Sequence, residues 1–160
     1  MFPVEVLPWV NSAAALVHLG IACLMLLGLA WWDTGRIHWS VLALPLVWLP
    51  LVPLTVGLGW WLAAVGTFVR DVGQVVTMVV SLLLFLSPIF FPIEALPAAL
   101  QNWALLNPLA LVITETRHVL LDGLWPDWRG LALNLSGCLV LAVSGAAFFR
   151  AARQGFADVV

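Results

Sequence analysis

Arg70 and Asp71 stand side by side in Phe68-Val-Arg-Asp-Val-Gly-Gln74, between two long apolar runs. Charge is costly in lipid, so the pair is predicted to lie in a short turn at a membrane boundary. There it either couples to another chain or stays a solvated pair worth about 0–1 kcal/mol. A second cluster, Glu115, Arg117 and His118, falls in one helical stretch. Glu115 and His118 are three apart and can pair on one face. The alternative is that the three line an opening in which Arg117 meets a phosphate. Between these clusters lies Ser87-Pro-Ile-Phe-Phe-Pro92, an apolar segment whose prolines interrupt whatever helix enters it.

Covalent and metal chemistry find less support. Ser81, Ser87, His18 and Asn134 could in principle serve an intramembrane hydrolase. No serine has an oxyanion-forming glycine setting, and no His–Ser spacing suggests a pair. Cys23 and Cys138 sit inside apolar runs, where buried free thiols are expected and no metal site is indicated. The chain has no lysine, so it holds no Gly-Lys-Ser/Thr phosphate loop. Any ATP-driven work must use a separate chain to hydrolyse the nucleotide. No cofactor is expected.

The elements that must position these residues are membrane helices. Hydrophobic residues make up 64% of the 160 and charged residues only 9%, with a mean hydropathy of +1.11. A soluble domain of this size could not hide so much apolar surface. The net charge of −2 and the lack of a basic face argue against nucleic acid as a partner. Met1-Phe-Pro-Val-Glu-Val-Leu-Pro8 has no basic leader region and is not expected to be a signal peptide. Glu5 is expected to favour the N-terminus of the first helix by about 0.3–1 kcal/mol.

A hydrocarbon core of ~30 Å needs about 20 helical residues, and four segments are assigned on that basis. They run from about Trp9 to Trp32, Ser40 to Phe68, Gln74 to Ser87, and Arg129 to Phe149. The second carries Pro45, Pro50 and Pro53 and should be kinked and packed rather than bare in lipid. The third is short unless residues 88–92 extend it. Gly59 and Ala63, four apart, offer a close helix approach. His18, in mid-span, needs a hydrogen-bond partner and is expected to bond another helix.

Ser87 to Trp128 fits no straight span, because it holds Pro88, Pro92, Pro97, Pro108 and Pro126 together with Glu94 and the 115–118 cluster. Two short helices, roughly Pro97–Leu106 and Pro108–Leu121, are predicted to dip into the bilayer and return, each opening on a proline. The fold class expected is therefore all-α and integral to the membrane, with four spans and two short re-entrant helices between the last two. Trp31, Trp32 and Trp39 flank one loop and Trp125 and Trp128 another, as interfacial belts. Basic residues do not orient the chain: Arg70, Arg150 and Arg153 stand against Arg36, Arg117 and Arg129.

Several stretches, in this order and spacing, resemble the permease subunit of ABC type-2 exporters of bacterial surface polysaccharides, the O-antigen (lipopolysaccharide) and teichoic-acid export family. They are Phe2-Pro-Val-Glu-Val-Leu-Pro8, Leu16-Val-His18, Gly57-Leu-Gly59, Phe68–Gln74, Ser87–Pro92, Leu106-Asn-Pro-Leu109, Gly123-Leu-Trp-Pro-Asp127 and Gly155-Phe-Ala-Asp158. The resemblance covers nearly the whole chain and corresponds to the C-terminal portion of the family. The family's interfacial helix, first two spans and coupling helix are expected to be lacking.

What the resemblance implies is a non-enzymatic permease in the bacterial inner membrane, with both termini in the cytoplasm. It would work as a homodimer with a separate pair of ATP-binding subunits, moving a lipid-linked glycan. Arg70 and Asp71 then belong to a cytoplasmic turn. Pro88, Phe90, Phe91, Pro92, Asn107 and Pro108 belong to an extracytoplasmic gate. Glu115, Arg117 and His118 become candidates for the glycan's exit. Trp60 and Trp61, about two turns inside the second span, either stack on sugar rings or pack helices. A non-transporting remnant or accessory subunit is the alternative.

Overall fold

The computed structural model describes residues 6–35, 37–69, 71–87 and 107–153. The described residues are helical and contain no strand. Helix α1 spans Leu7–Thr34. A tight turn at Trp39–Ala43 leads into the short α2, Leu44–Val47. Helix α3 spans Leu51–Phe68, α4 Val72–Leu86 and α5 Pro108–Arg117. A wide turn at His118–Asp122 connects α5 towards α6, Trp128–Arg153.

Among the described residues, three stretches are long and apolar enough to cross a membrane: Leu7–Trp32, Trp39–Phe68 and Trp128–Arg153. Helix α4 has 15 residues, about 22 Å of rise, short of a ~30 Å core. The expected third span therefore stands here as a shorter apolar helix. The first predicted re-entrant helix, Pro97–Leu106, lies outside the described residues, as do Pro88, Phe90, Phe91 and Pro92.

The prolines of the second span act as helix starts rather than as breaks in one rod. Pro45 opens α2, Pro50 precedes α3 as its N-cap and Pro53 falls in its first turn. A first turn has no intrahelical use for its N–H groups, so proline costs nothing there. At the end of α1, Gly35 takes a left-handed conformation (φ 65°), and its N–H donates to the Trp31 carbonyl. Glycine adopts this without a Cβ penalty and terminates the helix.

Packing centres on α3 against α6, the most extensive contact among the described residues. A Cβ at Gly57 would lie 2.7 Å from Ala142 Cα, and one at Gly145 would lie 2.6 Å from the Gly57 carbonyl oxygen. The two backbones thus meet where neither helix carries bulk, which is how helices associate without water to drive them. The expected approach at Gly59 is real but lies elsewhere, because Gly59 abuts Pro8 of α1. One turn further along α1, Ser12 Oγ and Thr55 Oγ1 are 2.7 Å apart. Thr55 Oγ1 also reaches the Leu51 carbonyl at 2.8 Å, so the hydroxyl pair is tied to the start of α3.

A second core joins α1, α2, α5 and the start of α6 through Cys23, Leu44, Val47, Val112, Val119 and Leu131. Two side chains tie the 39–48 segment to it. Ser40 Oγ donates to the Val119 carbonyl at 2.8 Å, and Trp48 Nε1 donates to Thr116 Oγ1 at 3.2 Å. Gly123 (φ 67°) leaves room for the His38 ring, whose Cγ would be 2.6 Å from any Cβ there. The two tryptophan-flanked loops therefore meet at one end of the bundle.

Candidate functional site

Helix α5 is built by its first two residues. Asn107 Oδ1 accepts from the Leu109 N–H at 3.0 Å, and Pro108 occupies the first helical position. This cap-plus-proline start is the strongest local helix signal in the segment. From there α5 runs antiparallel to the first turns of α6. Asn134 Nδ2 donates to the Pro108 carbonyl at 3.0 Å. At the other end of α5 the Asp127 N–H donates to Glu115 Oε2 at 3.1 Å. Asn134 is six residues past Trp128, so α5 begins about 9 Å below the interfacial end of α6 and rises towards it.

Glu115 is only 8% exposed. Its carboxylate satisfies the N–H of Asp127, whose own Oδ1 accepts from the Arg129 N–H at 3.0 Å. Asp127 thus caps α6, and Glu115 caps the cap, as the second half of a capping box would do locally. This replaces the expected pairing of Glu115 with His118, whose ring has no hydrogen-bond partner among the described residues. Arg117 and His118 are both half-buried, and Arg117 is engaged by a partner. Nothing in the spacing of Glu115 and Asp127 betrays their contact. Asp127 just before an apolar run is itself a readable N-cap signal.

Beneath α5, between α3 and α6, lies a cavity of about 570 Å³. Pro108, Leu111, Gly130, Asn134 and Cys138 contribute to its wall, and Cys138 Sγ reaches Asn134 Oδ1 at 3.6 Å. Two buried polar atoms, Ser87 Oγ and Asn107 Nδ2, have no hydrogen-bond partner among the described residues. They stand at either end of residues 88–106.

Trp60 and Trp61 point to different neighbours. Trp60 meets Trp9 of α1 edge-to-face, with centroids 6.2 Å apart. Trp61 stacks on Phe148 of α6 at 4.4 Å, and its Nε1 donates to Ser144 Oγ at 3.2 Å. On α6, Phe148 lies 21 residues beyond Asp127, about 30 Å along the axis. The tryptophans and the Glu115 cluster therefore occupy opposite ends of the bundle. Asp71 is exposed in the turn between α3 and α4, where its carbonyl accepts from the Gln74 N–H at 3.1 Å. Arg70 lies outside the described residues. The His18 side chain is exposed and has no hydrogen-bond partner among the described residues, so the expected inter-helix bond is not made among them.

Three apolar helices of bilayer length, crossing on small residues and carrying a short helix against one end, define a multi-pass helical membrane protein. The chain belongs to the ABC-2 type transporter family, whose sequence pattern matches residues 6–121. It is 26% identical to the O-antigen export system permease protein RfbA of Myxococcus xanthus over 165 residues, covering 99% of this chain and 62% of that protein. It is 30% identical to the polysialic acid transport protein KpsM of Escherichia coli over 134 residues, covering 81% of this chain and 51% of that protein. The O-antigen export system permease protein RfbA of Klebsiella pneumoniae is 22% identical over 162 residues. The chain thus spans between half and two thirds of the length of these relatives.

Proposed function

We propose that this chain is the membrane-spanning permease part of an ATP-driven exporter that moves a lipid-linked polysaccharide across the bacterial inner membrane. It acts as a homodimer with a separate pair of ATP-binding subunits, and both of its termini face the cytoplasm. The relatives named for O-antigen export and polysialic acid transport support the substrate class.

The observation that carries the reading is the placement of α5. A short helix that starts at membrane depth beside Asn134 and ends at the interfacial Asp127 is what the outward arm of a re-entrant hairpin requires. In this reading α4 and the apolar residues after it complete a fourth span. Pro88, Phe90, Phe91 and Pro92 form the gate with Asn107 and Pro108. Closure of the ATP-binding partners tilts the α3–α6 pair and parts the gate. Trp60 and Trp61 at one end, and Glu115, Arg117 and His118 at the other, flank the path of the glycan. Many weak aromatic and polar contacts suit a chain that must slide, because no single site holds it.

Deletion of the gene in its host is the test. The expected result is loss of one surface polysaccharide, restored by the gene on a plasmid and measured by immunoblot of surface glycan. Unchanged surface polysaccharide after deletion would refute the proposal.

A further inference from the structure

A second cavity of about 570 Å³, on the opposite flank of α3 from α5, has no polar atom in its wall. It follows the α3–α6 seam, with Trp9, Val56, Trp60, Leu139, Ala142 and Ala146 among its lining. On α6 its lining runs from Leu135 to Ala146. That is about 16 Å of helix, close to one leaflet's share of a ~30 Å hydrocarbon core. A wholly apolar wall offers a polar ligand nothing, and its length suits an alkyl chain.

Arg150 follows Ala146 by four residues and so continues the same face of α6. It is exposed and stands 22 residues from the interfacial Trp128, about 33 Å, which places it at the headgroup level. Arg153 is the next cation on the helix end and is already engaged by a partner. An alkyl slot one leaflet deep that ends at an exposed guanidinium is complementary to one kind of molecule.

We infer that the α1–α3–α6 groove binds an anionic phospholipid of the membrane, with an acyl chain in the slot and the phosphate on Arg150. The lipid fills the seam beside the Gly57–Ala142 crossing and supports the helix pair whose movement the transport reading invokes. The inference itself needs only the groove and the bilayer, and it stands whatever the chain exports.

The test is native mass spectrometry of the full chain purified in mild detergent and offered phosphatidylglycerol or phosphatidylcholine with identical acyl chains. The wild type is expected to retain phosphatidylglycerol in preference to phosphatidylcholine. Arg150→Gln should lower phosphatidylglycerol retention about fivefold, the worth of one basic side chain at an anionic surface, and leave phosphatidylcholine unchanged. Ala146→Trp should reduce retention of both lipids, whereas Val140→Trp, on an exposed face away from both cavities, should reduce neither. Arg150→Gln changes only an exposed charge, so it stays informative if Ala146→Trp fails to fold. Equal retention of phosphatidylglycerol by the wild type and Arg150→Gln would overturn the inference. So would disulfide capture of a second copy through Leu139→Cys, because the occupant would then be protein.

Discussion

Gly57→Leu is expected to abolish the folded protein, or to lower its thermal midpoint so far that little survives extraction. The Cβ alone would sit 2.7 Å from Ala142 Cα and 2.8 Å from Ala142 N. These are backbone atoms, so no side-chain rotation relieves the clash and α3 and α6 must part. Overpacking usually costs about 1–3 kcal/mol, and a leucine wedged between two backbones belongs at or above the top of that range. The loss also spreads, because the same crossing positions Trp61 against Phe148 and bonds it to Ser144. Gly66→Ala provides the contrast. It lies on the same helix with nothing within 4 Å of its Cβ position, and alanine there should stabilise the helix by up to about 1 kcal/mol. Fluorescence-detected size-exclusion chromatography across a temperature series measures both. Equal midpoints for Gly57→Leu and the wild type would show that the helices do not meet at this point.

Phe91→Asp is expected to stop surface glycan display while leaving the amount of protein in the membrane near normal. Phe91 belongs to the apolar Ser87–Pro92 segment that follows α4 and is proposed to gate the exit. A carboxylate at bilayer depth costs about 2.5–3.5 kcal/mol on insertion scales. If the segment gates as proposed, it gains a strong bias towards the position in which that charge meets water. Phe91→Leu keeps the apolar character and should retain display. Comparing surface glycan with protein level in the two variants separates gating from folding. Normal display by Phe91→Asp at normal protein level would remove the gate assignment.

The sequence was most informative where one residue type forces a local outcome. Asn107-Pro108 announces the start of α5, and the observed helix begins there. The turn around Asp71 follows from a charge between two apolar runs, and α3 and α4 flank it. Contacts between distant segments were harder to read. Gly59 and Ala63 advertise a close approach by their spacing, but the tight crossing is at Gly57, because Ala142 and Gly145 on another helix decide it. Spacing along one helix names the small residues without naming the neighbour. Spacing pairs Glu115 with His118 for the same reason. Its carboxylate instead serves the Asp127 N–H, twelve residues on and around a turn that only the fold brings back. The length of α4 shows a third limit: apolar composition continues past Leu86, but composition does not say where a helix ends.

Inverted inner-membrane vesicles, loaded on their outer face with the lipid-linked glycan of the host, test the central claim most directly. The quantity to measure is the fraction of glycan protected from an added glycosidase after ATP is supplied. Vesicles containing the protein and the proposed ATP-binding partners should gain protected glycan with ATP. They should gain none with a non-hydrolysable analogue or when the gene is deleted. Equal protection in deleted and wild-type vesicles would contradict the claim that this chain forms the route by which the glycan crosses.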